Sequence, residues 1–176
     1  MIDWSAFQTN TFFVADDEEW ERMLKICGDA GGAYLFYCAA DDQGLGRVPT
    51  ELRNGRVDLC GILYIGRTDC LRKRTADDKR SIRGSDSGAN PTLYKFFADP
   101  INRVRYPYER LWVKILWYPN GSYPFLKLDD KTAKRVEDIG LQTYRKDFQS
   151  LPLINERGPQ HNTALWIALA PKYIGA

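Results

Sequence analysis

Hydrophobic positions recur along the chain with two different periods. In "DDEEWERMLKIC" (16–27), Trp20, Met23, Leu24 and Cys27 follow i, i+3, i+4, i+7 spacing behind a run of acids, which predicts an amphipathic helix. "GDAGG" breaks it. The runs "AYLFYCAA" (33–40) and "DLCGILYIG" (58–66) are apolar and β-rich, and predict two strands. Between them, "DDQGLGRVPTELRNGR" is polar and turn-rich, as an elongated hairpin loop requires. A helix follows from Asp69, with Asp69 as N-cap and Leu71 facing inward. "RGSDSGANP" (83–91) reads as a loop and "TLYKFFA" (92–98) as a short helix. "LWVKILWY" (111–118) is a third strand closed by the "PNGSYP" turn, and "DDKTAKRVEDIGLQTYRKDF" (129–148) is a long helix with Asp129 or Asp130 near its cap. "LPLINERGP" leaves that helix, and "ALWIALA" is a last apolar element whose type the pattern leaves open.

This order predicts an α+β fold: a small, mainly antiparallel three-stranded sheet flanked by helices, with insertions. No repeat or linker divides the chain, and 176 residues suit one domain spanning 1–176. Its core would run from about 32 to 155, with the N-terminal helix and a C-terminal extension packed on it.

Composition narrows the function. No apolar run approaches the roughly 20 residues that span a bilayer, so no membrane role is expected. The N-terminal stretch has neither a basic start nor a clean apolar segment, so no signal peptide is expected and a cytoplasmic location is the default. The four cysteines, Cys27, Cys38, Cys60 and Cys70, form no C-x-x-C pair, and His161 is the single histidine. That disfavours structural zinc and any Cys–His or two-histidine mechanism. Net charge is only +2, yet residues 1–60 carry −6 and residues 61–176 carry +8. Such asymmetry points the later part towards a polyanion, with a scattering of solvated charges as the plain alternative.

The chemistry-bearing residues lie around the first two strands. Gly32-Ala33-Tyr34 is followed by Tyr64-Ile65-Gly66 and then by "RTDCLRKR", with Arg74 ten residues after Tyr64. This ordered set resembles the GIY-YIG nuclease family, in its standalone, restriction-endonuclease-like branch. In that family two short strands end in the named tripeptides, an arginine follows on the next helix, and a helical glutamate and a later asparagine complete the pattern. Glu137 in "AKRVEDIG" and Asn155 in "LPLINERG" are the natural matches, and the resemblance covers roughly Gly32 to Asn155. Four residues past Arg74, where many relatives carry histidine, this chain has Asp78.

The resemblance implies a metal-dependent DNA endonuclease, with a type II restriction enzyme as one form. Catalytic roles would fall to Tyr34 as general base with Tyr64 assisting, to Arg74 on the phosphate, to Glu137 as the ligand of Mg²⁺ or Mn²⁺, and to Asn155. Glu109 is the substitute for Glu137. An ordinary phenol, with a pKa near 10, is about one part in a thousand phenolate at neutral pH; a nearby cation favours that form. Arginine presents a planar fork of donors to phosphate oxygens. One carboxylate suffices for Mg²⁺ when water and phosphate complete its shell.

Each residue also has a plain structural reading: Tyr34 and Tyr64 as strand residues, Glu137 as a partner of Lys134 or Arg135, Asn155 as a turn residue. Phosphate contact would come from Gly66, at a sharp backbone turn, from Arg67, and from Thr68, unless Thr68 simply caps the helix. Arg72, Lys73, Lys79, Arg80 and Arg83 would add sequence-independent attraction, with Arg103, Arg105 and Arg110 beyond them. The aromatic run Tyr106, Tyr108, Trp112, Trp117 and Tyr118 fits strand packing better than base stacking. DNA is the expected partner, no small-molecule cofactor is expected, and cutting both strands would call for a homodimer. The alternatives are a nuclease effector or toxin of the same chemistry, and a catalytically inactive nucleic-acid-binding module on the same fold.

Overall fold

A computed structural model describes residues 11–27, 31–85, 88–115 and 130–156. The elements in chain order are β1 (Thr11–Phe13), α1 (Asp17–Cys27), β2 (Gly32–Cys38), β3 (Thr50–Glu51), β4 (Val57–Asp58), β5 (Ile62–Thr68), α2 (Leu71–Arg83), α3 (Pro91–Ala98), α4 (Pro100–Arg105), β6 (Leu111–Ile115) and α5 (Asp130–Phe148). The class is α+β, as the hydrophobic pattern predicts.

The three expected strands form an antiparallel array in the order β6-β2-β5, and the short β1 adds a fourth strand beyond β6. Tyr34 stands opposite Gly66 and Phe36 opposite Tyr64, and the register slips after Phe36 so that Tyr37 meets Ile62. This bulge turns Leu63 onto the same face as Tyr34 and Phe36. That face is covered by α1, α2 and α3 around Trp20, Leu71, Ile82, Leu93 and Phe97. The opposite face, with Ala33, Leu35, Tyr37 and Ile65, packs on Leu141 and Tyr144 of α5. Two layers of helix thus enclose a strand pair that is apolar on both sides, which explains why "AYLFYC" shows no polar alternation.

Local chemistry sets the helix ends. Asn90 accepts a hydrogen bond from the Leu93 amide and Pro91 follows it, while Asp99 accepts from the Ile101 amide ahead of Pro100; each pair is an N-cap followed by a proline at the first helical position. Helix α2 ends on Gly84 in the left-handed region (φ 78°), whose amide bonds back to Arg80 and Ser81. The expected Asp69 cap is not what starts α2. Cys70 holds the N-cap position without a side-chain bond, and the Thr68 hydroxyl takes the Cys70 amide at 3.0 Å.

The loop between β2 and β5 is anchored, not free. Its β3–β4 ribbon ends on Asp58, whose buried carboxylate accepts from the Cys60 amide (2.6 Å), the Ile62 amide (3.0 Å) and the Tyr144 hydroxyl (2.7 Å). A long-range tie also seals the outer edge of β5. Ile154 donates its amide to the Leu63 carbonyl at 2.9 Å, and the Asn155 carboxamide pairs with both backbone groups of Ile65, at 2.9 and 2.7 Å. The "ALWIALA" element, the "PNGSYP" turn, Trp117 and Tyr118 lie outside the described residues. Among the described residues no helix is long and apolar enough to cross a membrane.

Candidate active site

The site is built where β2 and β5 face α2. Tyr34, Tyr64 and Gly66 lie on that face because alternate residues of paired strands share a side. Arg74 and Asp78, one helical turn apart, share the inward flank of α2. Gly66 sits in the middle of β5, and not at the turn expected for it. A Cβ built there would lie 2.5 Å from Tyr64 Cε1 and 3.0 Å from the hydroxyl oxygens of both Tyr64 and Tyr34. The missing side chain is therefore the space in which the two phenols meet.

Tyr34 is fully buried, and its hydroxyl donates to Asp78 Oδ2 at 2.5 Å. Asp78 is fully buried too, and its other oxygen accepts from Asn90 Nδ2 at 2.7 Å. Asn90 is itself pinned, with its amide bonded to the Ser81 hydroxyl (2.9 Å) and its Oδ1 capping α3. Tyr64 is only partly buried, with its ring centroid 6.2 Å from that of Tyr34. It is the phenol with access to solvent.

The electrostatics follow from burial. Desolvation, followed by the Asp78 charge, holds Tyr34 well above the ordinary phenol range. Tyr64 is pushed up to about 12, first by burial, then by Asp78 and Glu137; Arg74, and Asn90 donating towards the hydroxyl, work against this. Asp78 is raised to about 6 by burial, against the bonds from Tyr34 and Asn90 and the Arg74 charge. Burial opposes the charge on half-buried Arg74, but Tyr34, Asp78, Tyr64 and Asp77 around it strengthen its hold on the proton.

Glu137 comes from the opposite layer. It projects from α5, and its Oε2 is 3.0 Å from Nε of Arg67, which points to that face at the end of β5. Burial lifts its pKa to about 7 and the Arg67 cation opposes the lift. Its charge still bears on the Tyr64 hydroxyl. The structure therefore brings Tyr34, Tyr64, Gly66 and Arg74 into one cluster, with Glu137 approaching from the far side of the edge strand. Comparison with family models, with curated proteins and with solved structures returns no match.

The donor set allows one kind of metal. No group of three or more His, Cys, Asp or Glu side chains able to hold an ion is present among the described residues. Glu137 supplies a single hard carboxylate, 20% exposed, with one oxygen engaged by Arg67. That fits a divalent ion whose shell is otherwise water and phosphate, and not an ion caged by protein.

Other expected site residues have structural employment. The Asn155 carboxamide is spent on the Ile65 backbone. Thr68 starts α2. Lys79 is buried, paired with Asp17 at 2.7 Å and set 4.7 Å from the Trp20 ring centroid, so it docks α1 and is not displayed to a phosphate. Arg83 reaches the same Asp17 at 3.3 Å and lies over Tyr108. Arg80 pairs with Asp77. Arg72 and Lys73 are exposed on the first turn of α2 beside the cluster. Arg103 bonds the Phe97 carbonyl, Arg105 lies over Tyr106, and Arg110 bonds the Ala40 carbonyl at 3.1 Å. Tyr106 is buried, Trp112 stacks on Phe13 and Tyr108 bonds the Val14 carbonyl, which is the packing role expected of these rings. Glu109, the substitute for Glu137, is exposed in a 3-10 turn ahead of β6.

Two members of the cluster were missed as participants. Asp78 registers in the sequence only as the residue standing where relatives carry histidine, and Asn90 only as part of a loop. The Asn-Pro pair is a helix-start signal, but nothing in the sequence says that the same amide also reaches a carboxylate twelve residues earlier.

Proposed function

We propose that this protein is a metal-dependent DNA endonuclease of GIY-YIG type, hydrolysing phosphodiester bonds. The observation that carries the reading is the convergence of Tyr34, Tyr64 and Arg74 over a glycine that has no room for a side chain. Hydrolysis needs an activated water, neutralisation of charge on the phosphate, and stabilisation of the leaving oxygen.

The roles differ from the expected ones in one respect. Tyr34, fully buried and bonded to Asp78, has no route to a water, so Tyr64 is the phenol that orients and deprotonates the nucleophile. Arg74 holds the non-bridging phosphate oxygens; its charge is secured by the surrounding acid groups, and guanidinium geometry matches phosphate. Glu137 would hold Mg²⁺ or Mn²⁺ through its carboxylate, in competition with Arg67. Such an ion supplies charge stabilisation at the leaving oxygen. Arg72 and Lys73 attract the DNA backbone at the mouth of the cluster, without base readout. A restriction role and an effector role share this chemistry. Double-strand cutting would need two copies of the chain.

The Arg67–Glu137 pair favours a second reading, a nucleic-acid-binding module without catalysis, because an arginine already neutralises the carboxylate. Incubating purified protein with defined linear and supercoiled DNA in Mg²⁺ or Mn²⁺, with and without chelator, separates the two. Cleavage that the chelator abolishes supports the nuclease, and the mapped ends give strand number and sequence preference. Retarded but intact DNA supports the binding module.

A further inference from the structure

Asp78 is a buried carboxylate whose two oxygens are both taken, one by the phenol of Tyr34 and one by an asparagine amide. A merely structural carboxylate in an apolar core is costly, since burial penalises the charge and uncharged pairs fill the same space more cheaply. Here the charge is aimed through Tyr34 at the spot beside Gly66 where the Tyr64 hydroxyl also ends. The buried phenol is bonded to the buried carboxylate, and the hydroxyl of the partly exposed phenol ends at the same spot beside Gly66, with no hydrogen bond between the two phenols among the described residues.

We propose that Asp78 is the terminal proton acceptor of the site, acting through Tyr34 and Tyr64, with Asn90 as the residue that fixes its orientation. This rests on the nuclease reading. As water attacks phosphorus, its O–H bond breaks and the proton passes to the Tyr64 oxygen. With substrate bound, the Tyr64 hydroxyl closes on that of Tyr34 and passes its own proton to the Tyr34 oxygen, and Tyr34 completes the transfer of its proton to Asp78 Oδ2. The new O–P bond forms, the bond to the leaving oxygen breaks, and that oxygen takes a proton from solvent. Asp78 then returns its proton to solvent along the same line. Both phenols stay neutral before and after, which removes the need for a phenolate that the burial of Tyr34 and Tyr64 opposes. Asn90 donates to Oδ1 and leaves Oδ2 as the oxygen that receives.

The groups facing Asp78 are Tyr34 from β2, Tyr64 from β5, Arg74 and Asp77 from its own helix, and uncharged Asn90 on the α3 side. On α1, Asp17 is taken up by Lys79 and Arg83 of α2. Burial raises Asp78 to about 6, so the acceptor is ionised at neutral pH and lost in mild acid.

The test is the pH profile of kcat/KM for DNA cleavage by the wild-type protein, Asp78→Asn, Tyr34→Phe and the double variant, each checked for folding by circular dichroism. The expected wild-type profile falls on the acid side below about pH 6. Asp78→Asn and Tyr34→Phe each lose about 10²-fold or more, as loss of a proton acceptor does, and the acid limb disappears. The double variant is no slower than the slower single, the mark of groups acting as one unit. Should Asp78→Asn fail to fold, Tyr34→Phe carries the test through its limb and its rate. Wild-type-like rates and limb in either folded variant overturn the relay alone. No cleavage by folded wild-type protein overturns the nuclease reading and the relay with it.

Discussion

The Tyr34 hydroxyl points at Asp78, 44 residues further along the chain, and bonds it at 2.5 Å where neither side chain meets solvent. The pair joins the central strand to the helix after β5. It also separates the two tyrosines, because Tyr34 is committed inward and Tyr64 keeps some exposure.

The glycine beneath the phenols gives the first prediction. Gly66→Ala would set a Cβ 2.5 Å from Tyr64 Cε1, closer than carbon atoms approach. The strand or the ring must move. Overpacking of this kind costs about 1–3 kcal/mol. Urea unfolding should show that loss, and cleavage should fall further than stability does, since the displaced ring is the one facing water.

Asn155 offers a contrast. Asn155→Ala strips the edge of β5 of a donor and an acceptor at Ile65, in a buried setting. Unsatisfied buried backbone groups cost about 1–3 kcal/mol each. The urea midpoint should drop clearly. At a temperature where the variant remains folded, kcat should stay within a few-fold of wild type, which a catalytic Asn155 would not allow.

The basic residues of α2 divide in two. Arg72→Ala and Lys73→Ala should each weaken DNA binding and reduce the slope of log K against log salt by about 1, as lost phosphate contacts do. Lys79→Met should leave the slope unchanged and act on stability instead, because its ammonium is occupied by Asp17 and lies over Trp20. Filter binding over a salt series reads both.

Stability should fall as pH rises. Asp78 and Glu137 are raised by burial to about 6 and about 7, from ordinary values of 3.8 and 4.5. Between those limits the folded chain holds protons that the unfolded chain has released. Their contribution is fully present below about pH 4 and is lost as pH rises through about 6 for Asp78 and about 7 for Glu137, together on the order of a few kcal/mol. Urea midpoints at pH 5 and pH 8 check the sign, with the pH 8 value lower. The same comparison in Asp78→Asn should show a smaller drop.

Much of the fold was legible in the sequence, for identifiable reasons. Helix α1 announces itself by Trp20, Leu24 and its leading acids, and β2, β5 and β6 by short apolar runs rich in β-branched and aromatic residues, which suit strands buried on both faces. Strand β1 was missed because three residues hold no period, and α4 because Pro100 reads as a breaker when it is the first helical residue behind the Asp99 cap. In the site, local signals marked the two tyrosines and Arg74, whose spacing is set by one strand and one helix. Asp78 and Asn90 were not legible as a pair. Their contact depends on how α3 packs on α2, which no spacing along the chain encodes. In the sequence Gly66 reads as a turn because glycine usually marks one, whereas the crowding of two rings is what requires it.

The most direct test of the central claim is single-turnover cleavage of a short DNA duplex in Mg²⁺ by the wild-type protein, Tyr64→Phe and Arg74→Ala. The expected result is chelator-sensitive cutting by the wild type and a rate at least about 100-fold lower in each variant, with folding and DNA binding retained in Tyr64→Phe. Equal rates in all three proteins, or no cutting by folded wild type, would contradict it.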